Sequence, residues 1–166
     1  MKYSKAGAFF LVAFLIQPSL LNLFSIRGYT PNLMLGLVIV FSFLYENEMY
    51  GIVFGAVFGC LYDLCYNAVV GPMPIALVFT AIFIILIREF ANIENIINMW
   101  VVALLSILLY YGINWGLYRL AGNPAGFMYV LKMLPWEALY TMAVITAVYL
   151  VLIRKVIRYR KDRYFR

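Results

Sequence analysis

The stretch Gly51-Ile52-Val53-Phe54-Gly55-Ala56-Val57-Phe58-Gly59-Cys60-Leu61-Tyr62-Asp63-Leu64-Cys65-Tyr66-Asn67, followed shortly by Gly71-Pro72-Met73-Pro74, decides the fold. It is almost wholly apolar, and its small and polar residues recur every fourth position: Gly51, Gly55, Gly59, Asp63, Asn67 and Gly71. Four residues at about 100° each advance a helix surface by only about 40°, so this row forms one ridge. Glycines at GxxxG spacing let helices approach closely in lipid, where burying an apolar side chain gains little over leaving it in the bilayer. The spacing therefore predicts a membrane helix docked on another helix, in this chain or in a partner. Gly112-xxx-Gly116 is a weaker copy, and each motif suits the other as a docking surface.

Outward from that stretch, composition gives the same solvent. The chain has 166 residues, of which 66% are hydrophobic and 12% charged, with a mean hydropathy of +0.94. Globular proteins in water carry about 45–50% apolar and about 25% charged residues. A chain this small cannot hide so much apolar surface from water. Nucleic-acid binding, secreted disulfide frameworks and soluble enzymes are excluded for the bulk of the chain. There is no His, so imidazole metal sites and His general bases are absent, and no cofactor is expected. Cys60 and Cys65 fall about 140° apart on a helix, which suits neither a disulfide nor a metal-ligand pair; they read as small apolar packers.

A span needs about 20 mostly apolar residues. Uncharged stretches place six: residues 6–26, 28–45, 50–67, 72–90, 95–118 and 135–153. Thr30-Pro31 reads as N-cap and first residue of the second helix. Gly71-Pro72-Met73-Pro74 reads as a tight turn opening the fourth, because two prolines do not fit an undisturbed helix interior. Gln17-Pro18 marks a kink in the first span, with the amide helping to satisfy the backbone that Pro18 frees. Asn114 reads as an interhelical hydrogen-bonder, and Glu46 and Glu48 as solvated turn residues.

The expected fold is thus an all-α polytopic membrane protein, a compact bundle of six transmembrane helices over residues 1–153, followed by a basic cytoplasmic tail over 154–166. Lys2, Lys5, Arg88 and the seven cations of Arg154–Arg166 fall on one side, Arg27, Arg119 and Lys132 on the other. The Lys/Arg excess marks the cytoplasmic side, so both termini are cytoplasmic. Arg154, Lys155, Arg158, Arg160, Lys161 and Arg163 form a juxtamembrane cluster suited to anionic lipid.

Asp63 is the one carboxylate well inside a span. An ionised group near the bilayer centre costs at least about 3 kcal/mol, so it needs protein or water and a donor. Arg27, Arg119 or Lys132 are the cations expected on its side. An ion pair or helix cap is the preferred reading, ahead of a partner contact and of a proton or cation relay with Glu137.

The order of these features resembles the family of rod shape-determining protein MreD. The matching residues are Leu15-Ile16-Gln17-Pro18-Ser19-Leu20-Leu21, the helix start Thr30-Pro31-Asn32-Leu33, the row Gly51, Gly55, Gly59, Asp63 and Gly71, and the basic end Arg154-Lys155-Val156-Ile157-Arg158. Asn32 stands where the family commonly has Asp; it keeps the helix-start role without the charge. The resemblance implies a non-enzymatic scaffold of the bacterial cell-elongation complex in the cytoplasmic membrane. It implies binding to the single-span protein MreC, with the actin-like MreB, RodA-type glycosyltransferases and a class B penicillin-binding protein nearby, and a part in organising side-wall peptidoglycan synthesis. The second reading is the substrate-binding membrane subunit of an energy-coupling-factor vitamin transporter, which six-span chains of this size are also similar to. Those subunits dock through an Ala-xxx-Ala face that Ala6, Ala8 and Ala13 do not make.

Overall fold

The computed structural model describes residues 3–23, 30–47, 49–123 and 126–164, with the side chains of 20–23, 155 and 158–164 left outside the description. Lys2, Arg27 and Glu48, and the side chains of Lys155, Arg158, Arg160, Lys161 and Arg163, therefore lie outside the described residues. Six helices make up the described chain: α1 (Tyr3–Leu23), α2 (Leu33–Leu44), α3 (Met49–Tyr66), α4 (Pro72–Arg88), α5 (Ile96–Leu120) and α6 (Phe127–Tyr164). Among the described residues, Met49–Tyr66, Ile96–Leu120 and Phe127–Arg154 are long and apolar enough to cross a bilayer. Leu33–Leu44 and Pro72–Arg88 are shorter apolar helices.

The architecture is a wrap of helices around α2. The order α1, α3, α4, α5, α6 runs around it by neighbour contacts, and α2 touches all five. Every residue from Met34 to Leu44 is buried. A helix that is apolar all round belongs inside a protein, and 12 residues at about 1.5 Å each reach only about 18 Å. That is well short of the about 30 Å hydrocarbon layer. The uncharged stretch of residues 28–45 is thus only partly helical, and α2 is a core helix rather than a lipid-facing one.

Asn32, not Thr30, is the N-cap of α2: its backbone is extended (φ −88°, ψ 94°) and its side chain accepts from Leu35 N. Pro31 biases the residue before it toward extended backbone, which moves the start downstream. At the other end of the sequence, α6 begins at Phe127 rather than Pro135 and takes Pro135 into its interior. It also continues through residue 153 to Tyr164, so the basic residues from Arg154 to Arg163 lie on the same helix.

Packing between α1, α2 and α3 is aromatic. Phe10 is fully buried and meets Phe41 edge-on at 5.5 Å, with Phe54 and Phe58 stacked at 5.4 and 5.9 Å. Such pairs add about 0.5–1.5 kcal/mol each beyond area burial, which matters where lipid competes equally for apolar surface.

Candidate functional site

The sequence ridge lies in the seam that α3 forms with α2 and α4. A Cβ on Gly51 would run into Ser42 Oγ, one on Gly55 would stand 3.2 Å from Val38 Cγ2, and one on Gly59 2.8 Å from the backbone Cα of Pro74. Of the two occupants the spacing allows, helices of the same chain fill the ridge. Gly112 and Gly116 do not face it: α3 and α5 are not neighbours, and a Cβ on either glycine meets nothing within 4 Å.

Beyond the glycines, the ridge becomes a clasp. Asp63 is fully buried, and its Oδ2 accepts from Gly71 N at 2.9 Å and Met73 N at 3.1 Å. Its Oδ1 accepts from Asn67 Nδ2 at 2.6 Å. The carboxylate of α3 therefore caps the first turn of α4, where N–H groups lack intrahelical partners and the helix dipole favours negative charge. Gly71, at φ 120°, is the N-cap residue, a conformation open to Gly and costly for side chains bearing Cβ. Pro72 and Pro74 fall in the first turn, where their missing N–H groups cost nothing. Backbone amides and Asn67 supply the donors, in place of the Arg119 or Lys132 expected from the sequence; Arg27 lies outside the described residues.

A second polar cluster caps α2. Gln17 Oε1, buried on α1, accepts from Met34 N at 3.1 Å. Asn32 Oδ1 accepts from Leu35 N at 3.0 Å, and Asn32 N donates to Thr141 Oγ1 of α6 at 3.2 Å. Gln17 thus serves another helix's backbone rather than the one Pro18 frees. Tyr110 and Tyr111 of α5 are buried in the same core. Pro18 and Pro31 flank this cluster, each half-buried.

At the opposite end of α2, the Arg88 guanidinium donates to three carbonyl oxygens: Ser42 at 3.2 Å, Tyr45 at 2.5 Å and Glu46 at 3.3 Å. A cation on the last carbonyls of a helix satisfies orphan acceptors and complements the dipole. The sequence marks Arg88 only as a topology charge. It does not mark Thr141 at all, since its partner Asn32 lies 109 residues away and no local spacing points to it.

Two other expectations change. Cys60 and Cys65 are exposed rather than packed in the core, and Asn114 Oδ1 is buried without a hydrogen-bond partner among the described residues. Arg154 is exposed on α6.

These features define an α-helical membrane protein whose buried polar groups cap helices. The sequence matches the family described as rod shape-determining protein MreD over residues 4–160, and the chain belongs to that family. No curated protein and no solved structure matches it. Membership carries a role in rod-shape determination.

Proposed function

We propose that the chain is a non-enzymatic scaffold of the bacterial cell-elongation complex, a multi-pass protein of the cytoplasmic membrane with both termini inside. On this reading it binds an MreC-like single-span protein and helps organise side-wall peptidoglycan synthesis. MreB, a RodA-type glycosyltransferase and a class B penicillin-binding protein act in the same assembly. The cations of α6 from Arg154 onward meet anionic lipid at the inner surface.

One observation carries the docking part of this reading. The row Val101, Leu105, Leu108 and Gly112 on α5 is exposed, and Gly112 and Gly116 have open space where a Cβ would go. With Gly51, Gly55 and Gly59 occupied inside the bundle, the α5 glycines are the small-residue surface left for a partner helix. The small-residue backbone there permits the close crossing that a single-span helix needs in lipid.

Capture of the tagged protein from its native membrane in mild detergent, with mass spectrometry of the co-purifying proteins, tests both levels. Recovery of an MreC-like single-span protein with wall synthases is expected. The Gly112→Leu/Gly116→Leu variant should keep its thermal stability and lose that partner. Unchanged capture by the variant would remove α5 as the docking face, and absence of rod-complex proteins with the parent chain would remove the scaffold reading.

A further inference from the structure

Where the C-terminal half of α5 meets the start of α6, a pocket of about 200 Å³ is lined by Tyr111, Asn114, Trp115, Tyr118, Arg119 and Tyr129, among others. Three properties of this lining specify a ligand. Arg119, on the last turn of α5, presents a cation. Asn114 Oδ1 is a buried acceptor with no donor among the described residues. Four aromatic residues, Tyr111, Trp115, Tyr118 and Tyr129, line the pocket, and aromatic faces attract cations. An anion suits the Arg119 side; a cation that also donates hydrogen bonds suits the Asn114 side.

The pocket is smaller than the roughly 300–1,000 Å³ typical of whole drug-sized ligands, so it takes a headgroup and not a complete molecule. Trp and Tyr at a helix end, beside an exposed Arg, belong at headgroup depth. Apolar Phe127, Met128 and Leu131 on α6 are exposed alongside, a surface on which acyl chains can lie.

We propose that this pocket binds the phosphoethanolamine headgroup of a membrane lipid, the phosphate at Arg119 and the primary ammonium at Asn114 Oδ1 and the aromatic faces. Phosphoglycerol headgroups meet Arg119 but bring no cation. Phosphocholine brings a cation that cannot donate a hydrogen bond to Asn114. The chemistry therefore ranks phosphatidylethanolamine first.

Delipidated protein in mild detergent, titrated with acyl-matched phosphatidylethanolamine, phosphatidylglycerol or phosphatidylcholine and read by native mass spectrometry, tests this ranking. Phosphatidylethanolamine should be retained about tenfold more strongly than either competitor, and Asn114→Leu or Arg119→Gln should each erase about that factor. Soluble phosphoethanolamine forms the second arm. Binding by the lipid alone assigns the site to a lipid, and binding by the soluble compound as well assigns recognition to the headgroup itself. Equal retention of the three lipids by the parent chain would overturn the proposal, whatever the variants do. So would variants of unchanged thermal stability that hold phosphatidylethanolamine as the parent does.

Discussion

The Asp63 carboxylate and the Met73 backbone amide stand 3.1 Å apart across a chain reversal of ten residues. That bond, with its companions to Gly71 N and Asn67 Nδ2, turns α3 and α4 into a closed hairpin. The glycine ridge makes the closure possible, because Gly59 brings the two backbones together at Pro74. Motif and clasp are one device.

Removing the clasp should cost stability in steps. Asp63→Ala leaves two amide N–H groups and an amide side chain without their acceptor, at about 1–3 kcal/mol for each buried group left unmet. Asp63→Asn keeps an acceptor oxygen but loses the charge at the α4 N-terminus, a smaller loss of about 0.3–2 kcal/mol. Thermal unfolding in detergent should rank parent above Asp63→Asn above Asp63→Ala; equal midpoints would contradict the capping role.

The glycines should split by address. Gly59→Ala drives a methyl group onto the Pro74 backbone at 2.8 Å and should destabilise by about 1–3 kcal/mol, the usual range for overpacking. Gly112→Ala meets open space and should leave stability unchanged or raise it by about 0.4–1 kcal/mol. The pair of midpoints, measured side by side, checks which ridge is internal.

Both ends of α2 depend on side chains from other helices. Gln17→Leu removes the acceptor of Met34 N, and Arg88→Met removes the donor shared by the Ser42, Tyr45 and Glu46 carbonyl oxygens. Each should increase hydrogen exchange in α2 at its own end. Because the two sites are separated by the length of α2, about 18 Å, their stability losses should add to within about 0.5 kcal/mol. Strong non-additivity would mean that α2 melts as one unit.

Orientation is open to chemical labelling. In a Cys60→Ser/Cys65→Ser background, a cysteine placed at Asn123 should react with an impermeant maleimide on intact spheroplasts. One at Asn92 should react only after permeabilisation. The reverse pattern would invert the bundle.

The sequence made some of this legible and hid the rest for a physical reason. Glycine, proline and charge punctuate the chain, so the α4 start at Pro72 and the span-length helices α3 and α5 could be read directly. Lipid erases the usual inside–outside signal: Val38 in the core and Val57 on the surface are the same residue in the same kind of apolar run. Nothing local therefore distinguished α2, the most enclosed helix, from its lipid-facing neighbours. Asp63 and Gln17 stood out as polar groups in costly places, but their acceptor roles involve residues on separate helices. Thr30-Pro31 imitated a helix start that Asn32 holds.

The shortness of α2 also sets an order of events during synthesis. A 12-residue helix is too short to be a stable membrane insert by itself. Its amide at Asn32 finds Thr141 only after the final helix has been made. Until then one flank of α2 lacks its neighbour α6, and the bundle is unfinished at its centre. A chain that stops before α6 therefore leaves the flank of α2 that α6 covers without its neighbour.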